Sequence, residues 1–91
     1  MNFITSCGLF QKIYEDEAKY YRNRGLTHEK LGKIDLAIAD YEKSLEFEPY
    51  DVRAHFYLGQ IFFEQERYEE AAAFLQKGEE TKKNDVGLTR L

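Results

Sequence analysis

The sequence predicts an all-α fold of antiparallel helix hairpins. Three observations predict it. The first is an internal echo: Gly25 recurs as Gly59, Ala37 as Ala71, Ala39 as Ala73 and Lys43 as Lys77, each 34 residues later. A fixed step of this length means one supersecondary unit used twice. The second is the helical spacing of apolar residues within and before those units. The third is the placing of breaks: Gly32-Lys33 and Glu66-Arg67 inside the units, Pro49 and Asn84-Asp85 after them. Softer matches share the step, pairing Ile34 with Tyr68, Asp35 with Glu69, Tyr41 with Leu75 and Ser44 with Gly78.

The elements follow in order. Phe3, Cys7, Phe10, Ile13 and Tyr14 fall at helical spacing, with Lys12, Glu15 and Glu17 off that stripe. Residues 1–17 therefore read as an amphipathic N-terminal helix that caps the first unit or offers a docking face. It either runs straight on or bends near Glu15-Asp16. Residues 18–51 form the first unit. Its helix A ends at Gly32, a residue suited to the left-handed conformation that closes a helix. Asp35 opens helix B, where a carboxylate suits the helix dipole. Pro49 ends helix B, and Asp51 is placed to cap the next helix. Residues 52–85 form the second unit. Its helix A carries Phe56, Tyr57, Leu58, Ile61, Phe62 and Phe63, more apolar surface than one stripe needs. Helix B runs from about Tyr68 to Lys82, and Val86–Leu91 reads as a short tail.

Composition sets limits. The chain has 91 residues, enough for a single domain. A domain this size buries roughly 60–65% of the surface its unfolded chain exposes, so every apolar face must be used. The net charge is −4 and the pI near 5.2, which argues against a dedicated nucleic-acid binder. Cys7 is the only cysteine, so no intrachain disulfide forms, and a lone thiol fits a reducing compartment. No apolar run approaches the ~18 residues that span a bilayer. Ile4-Thr5-Ser6-Cys7 looks like a lipoprotein cleavage box, but no hydrophobic stretch precedes it. The expectation is a cytoplasmic protein with no membrane partner.

The residues at the 34-residue step resemble the tetratricopeptide repeat. Counting from Ala18, the first unit has Tyr21, Gly25, Ala37, Tyr41, Ser44 and Pro49 at family positions. Counting from Val52, the second has Leu58, Gly59, Phe62, Ala71, Leu75 and Gly78. The resemblance implies hairpins stacked as a short right-handed superhelix. The departures are Arg24, where an aliphatic residue is usual, His28 and His55, where aromatics are usual, and Lys83, in place of a second Pro. They suggest a weakened helix A in the first unit. Ala72 and Glu79 stand where the first unit has Ile38 and Leu45, which gives the second unit the polar outer face of a terminal repeat. Phe74 breaks that polarity. Its counterpart Asp40 is expected to be solvated, and Phe74 is expected to lie under the tail (Val86, Leu88, Leu91) or against another chain.

The resemblance also implies a binding face on helix A. In the first unit it maps to Lys19, Arg22, Asn23, Leu26, Glu29 and Lys30. In the second it maps to Arg53, Phe56, Tyr57, Gln60, Phe63 and Glu64. Four cations (Lys19, Arg22, Lys30, Arg53) against two anions (Glu29, Glu64) make this face locally basic, and the rings make it aromatic. Such a face suits a protein or peptide with apolar anchors and carboxylates, since Arg binds carboxylates bidentately. Leu26 stands where repeats that clamp an acidic C-terminus use Asn, which argues against that ligand. The alternative is a self-associating unit, a homodimer through the N-terminal helix or the Phe74 surface.

Nothing in the sequence points to catalysis or a cofactor. His28 and His55 lie on different units without ligand-spaced partners and read as packing or surface residues. Cys7 reads as a small apolar filler. The acidic pairs Glu46/Glu48, Glu64/Glu66 and Glu69/Glu70 read as solvated surface, because a catalytic pair needs an apolar cleft to separate its pKa values.

Overall fold

The computed structural model describes the backbone of residues 3–90 and the side chains of residues 10–82. Its regular structure is helical throughout: α1 (Phe3–Lys30), α2 (Ile34–Phe47), α3 (Val52–Glu64) and α4 (Tyr68–Arg90). The helices fall into two units, Met1–Pro49 and Tyr50–Leu91. Each unit is one hairpin, α1 on α2 and α3 on α4.

Both turns are built the same way. In the first, Gly32 has φ 79°, its N–H donates to the Glu29 carbonyl at 3.0 Å, and the Lys33 N–H donates to the His28 carbonyl at 2.8 Å. In the second, Glu66 has φ 63°, its N–H donates to Phe63 at 3.0 Å, and the Arg67 N–H donates to Phe62 at 2.8 Å. These paired bonds satisfy carbonyls that a helix end leaves open. Asp51 caps α3 as its position predicts, with its Oδ1 accepting from the Arg53 N–H at 3.1 Å.

Inside each hairpin a helix A glycine permits close approach. A Cβ on Gly25 would lie 2.7 Å from Cε1 of Tyr41. A Cβ on Gly59 would lie 2.6 Å from Cδ2 of Leu75, the residue at the matching step. Tyr41 is fully buried, and its hydroxyl donates to Glu29 Oε1 at 2.8 Å. Gly78 repeats the device on helix B, where a Cβ would meet Phe56 Cε1 at 3.0 Å. Its counterpart Ser44 is fully buried too. Ala18, Ala37 and Tyr41 form the core of the first hairpin, and Ala54, Leu58, Ile61, Phe62 and Ala71 that of the second.

The largest difference between the hairpins lies at three matched stations. In the second, these stations are apolar: Leu58 and Phe62 are buried, and the Phe62 and Phe74 rings are 5.5 Å apart. In the first, those stations hold Arg24, His28 and Asp40. Asp40 is not solvated, as its charge suggests, but only 5% exposed. Burying a carboxylate is costly unless it is paired. Arg24 pairs it with a fork: Nε donates to Oδ2 at 2.9 Å and Nη2 donates to Oδ1 at 2.8 Å. His28 Nε2 lies 3.5 Å from Oδ2. The bonds to Asp40 first, and to the Tyr20 hydroxyl second, raise the Arg24 pKa further above its ordinary value. The guanidinium also lies 5.4 Å from the centres of both the Tyr20 and Tyr21 rings. Arg24 and His28 are therefore part of a polar trio that replaces an apolar one. This replaces the picture of a helix A weakened at separate positions.

The N-terminal end takes one of the two expected forms, and the C-terminal end differs from expectation. The N-terminal helix is the opening half of α1, continuous with helix A and without a bend at Glu15-Asp16. At 28 residues, α1 is about 42 Å long against about 21 Å for the 14-residue α2. Gln11 and Tyr14 meet the end of α2: Gln11 Nε2 donates to Glu48 Oε2 at 3.4 Å, and the Tyr14 and Phe47 rings are 6.1 Å apart. Phe10, Ile13 and Tyr14 remain about half exposed. At the other end, α4 continues through Asn84-Asp85 to Arg90. Val86 then stands twelve residues beyond Phe74 on the same helix, about 18 Å along its axis, and does not fold back over it. The Cys7, Lys83, Val86, Leu88 and Leu91 side chains lie outside the described ones.

Three outcomes follow. Gly25→Ala gains about 1 kcal/mol of helix propensity but overpacks a ring fixed by burial and by its hydroxyl, at a cost of about 1–3 kcal/mol. Urea denaturation should show a net loss. Glu66→Gly relieves a left-handed residue and should raise stability by about 0.5–1 kcal/mol in the same assay. Arg24→Leu leaves Asp40 without its fork and should lower the thermal midpoint. Adding His28→Phe and Asp40→Phe rebuilds the cluster of the second hairpin and should recover most of that loss.

Candidate functional site

The helix A residues are best taken one hairpin at a time. On α1, Lys19, Asn23 and Lys30 are exposed and Leu26 is half-buried. These positions recur every three or four residues and so share a face. Arg22 belongs to that spacing yet is only 7% exposed. Glu29 is engaged by the Tyr41 hydroxyl, so its carboxylate serves the hairpin interior. The exposed charge on this face is therefore that of Lys19 and Lys30.

On α3, Arg53, Gln60, Phe63 and Glu64 are exposed, while Phe56 and Tyr57 are half-buried. The Arg53 side chain is 66% exposed, and its Nε lies 3.6 Å from Asp51 Oδ1. The Arg53 end of this pair is open to solvent, while the Asp51 side chain is only 9% exposed. Phe56 lies against Gly78 and packs within its own hairpin. Phe63 is 57% exposed and meets Tyr68 edge to face, with centroids 5.3 Å apart.

Tyr68 is the addition that sequence reasoning missed. It opens α4 at the far side of the turn from Phe63 and is 55% exposed. Its signal was available: the turn closed by Glu66 brings residues 63 and 68 together. Beside them, Arg67 stacks over the Phe62 ring at 4.4 Å and its Nε and Nη2 donate to Glu70 at 2.7 and 2.6 Å. Arg67 therefore braces the turn.

The remaining chemistry is sparse. His55 is buried, with its ring centroid 6.1 Å from that of Phe74, and His28 faces Asp40. Among the described residues, no group of three or more His, Cys, Asp or Glu is placed to hold a metal ion. None of the helices is long and apolar enough, among those residues, to cross a membrane.

Comparison with known proteins gives a consistent result. A tetratricopeptide repeat family model matches residues 22–85. DnaJ homolog subfamily C member 7 of Homo sapiens is 30% identical over 81 residues, covering 89% of this chain and 16% of that protein. The Protein SGT1 homolog of Oryza sativa subsp. japonica is 34% identical over 74 residues, covering 81% of this chain and 20% of that protein. The crystal structure of MamA superimposes with a TM-score of 0.75 at 27% identity, covering 77% of this chain and 41% of that one. The chain thus spans a fifth or less of these two curated relatives. The matched glycines, the paired turns and the family match coincide on the same residues, and the chain belongs to the tetratricopeptide repeat family.

Proposed function

We propose that this chain is a non-enzymatic protein–protein interaction module that binds a partner segment through its helix A faces. The observation that carries this reading is the row on α3. Arg53, Gln60 and Phe63 are exposed at helical spacing, with Tyr57 half-buried among them and Tyr68 against Phe63. Aromatic and Arg side chains dominate interface energies. The Arg53 guanidinium is 66% exposed, within reach of a partner's carboxylate.

The partner is then a peptide or protein segment with apolar anchors and carboxylates. Phe63 and Tyr57 take the anchor and Arg53 takes the acid. Lys19, Asn23, Leu26 and Lys30 on α1 offer a second row of the same character, with Arg22 buried beneath it. Phe56 supports the α3 row through its packing on Gly78 rather than by direct contact. The net charge of −4 disfavours nucleic acid as the ligand. The reading needs no cofactor and fits a cytoplasmic setting.

A second reading rests on α1 itself. Phe10, Ile13 and Tyr14 are about half exposed on one stripe, a surface that a second copy of the chain would cover. Light scattering separates the two, since a monomer at all concentrations removes the homodimer.

Fluorescence anisotropy with a panel of short peptides tests the first reading. Peptides pairing an aromatic residue with a free carboxylate should bind, and their amidated forms should bind more weakly. Arg53→Ala and Phe63→Ala should each weaken binding about tenfold, roughly 1.4 kcal/mol. Affinities unchanged in both variants would exclude the α3 row.

A further inference from the structure

A comparison of the two hairpins singles out a second surface, away from the helix A rows. In the first hairpin the Phe47 ring is held by its neighbours. Tyr21 stacks on it at 5.9 Å with the planes 6° apart, and Lys43 Nζ lies 5.7 Å from its centre. Lys43 also pairs with Glu46 at 3.3 Å. The matched stations of the second hairpin are His55 for Tyr21, Lys77 for Lys43, Glu80 for Glu46 and Thr81 for Phe47.

Thr81 supplies no ring. Its hydroxyl turns back and donates to the Lys77 carbonyl at 3.0 Å. An open hollow of about 260 Å³ lies here, lined by His55, Ala73, Phe74 and Lys77. Phe74 forms an apolar wall, with its ring also against His55 and Phe62. Lys77 is exposed and, among the described residues, has no ion-pair partner.

We propose that this hollow is a docking slot for an aromatic side chain of a partner peptide, with an adjacent carboxylate meeting Lys77. The first hairpin shows the occupant's chemistry. There Phe47 packs between Tyr21 and Lys43, the counterparts of the lining residues His55 and Lys77, and Lys43 is paired with Glu46. The second hairpin keeps the flat ring, as His55, and the lysine, and adds Phe74. It also keeps the glutamate, as Glu80, but Lys77 is not paired with it; a partner supplies the missing ring, and its carboxylate takes up Lys77. An aromatic guest contributes stacking and a cation–π contact with Lys77. The slot is independent of the helix A reading, because it uses none of those residues.

The test is an amide-resolved NMR titration of the full chain with acetyl-Asp-Phe-Asp-amide, using acetyl-Asp-Ala-Asp-amide as control. Saturable shifts at His55, Ala73, Phe74 and Lys77 with the first peptide alone are expected. Lys77→Glu should weaken binding about tenfold. Thr81→Phe restores the internal ring of the first hairpin and should abolish binding while raising the thermal midpoint. Should Thr81→Phe not fold, Ala73→Leu fills the hollow and should have the same effect on binding. Arg53→Ala and Phe63→Ala should leave this titration unchanged, which separates the slot from the helix A rows. The proposal is overturned by the absence of saturable shifts up to about 10 mM peptide, a range that reaches affinities weaker than millimolar. It is overturned equally by binding that survives the filled hollow. A dimeric wild type made monomeric by Thr81→Phe would assign the slot to a second copy of this chain and overturn the peptide.

Discussion

The structure depends on a close approach made twice. In each hairpin a glycine on the first helix receives a large side chain from the second, Tyr41 on Gly25 and Leu75 on Gly59. A Cβ at either glycine would stand under 3 Å from its neighbour, closer than packed atoms sit. Glycine in a helix interior costs roughly 1 kcal/mol, and the packing of the buried Tyr41 and the half-buried Leu75 side chains offsets it. With that spacing set, alanines at 37 and 71 bury completely, the turns close with the same pair of bonds, and the helix A rows point outward at fixed positions.

The same frame carries two different interiors. The second hairpin closes with Leu58, Phe62 and Phe74, and the first closes with Arg24, His28 and Asp40 at matching stations. A polar trio can replace an apolar one because the bidentate fork satisfies the buried carboxylate, even with His28 Nδ1 buried and without a hydrogen bond. The exchange also reaches the surface. The second hairpin has a hollow lined by His55, Ala73, Phe74 and Lys77, and Thr81 stands at the station where the first has the packed Phe47 ring.

The fold was legible because its determinants are local and repeated. Gly32, Pro49 and Asp51 each act within a few residues, and the 34-residue echo located them twice. The continuity of α1 was left open, since nothing between Gln11 and Arg24 breaks or requires a break. The α4 end was misread because Asn84-Asp85 looks like a stop and the chain continues through it. Asp40 was misread because its partner lies 16 residues away on another helix, and a lone Asp on a helix looks solvated. Arg24 and His28 were visible as departures, but only the three-dimensional pairing shows them as one feature. The site was legible in part. Of the candidate residues, Arg53, Gln60 and Phe63 are exposed as the spacing expects, but it counted Arg22 and Glu29 as offered charges when one is buried and the other holds Tyr41. Tyr68 joined Phe63 through a turn that spacing along a single helix does not reveal.

The proposed function rests on rigid presentation. Short hairpins with glycine-tight interiors hold their outward residues in place, which limits the ordering cost a partner must meet on binding. The central claim is therefore the pair of glycine contacts, and nuclear Overhauser spectroscopy tests it most directly. The account predicts cross-peaks from the Gly25 α-protons to the Tyr41 ring and from the Gly59 α-protons to the Leu75 methyls, with Gly25 displaced by the ring current. Absence of both cross-peaks, with Gly25 showing ordinary helical glycine shifts, would contradict it.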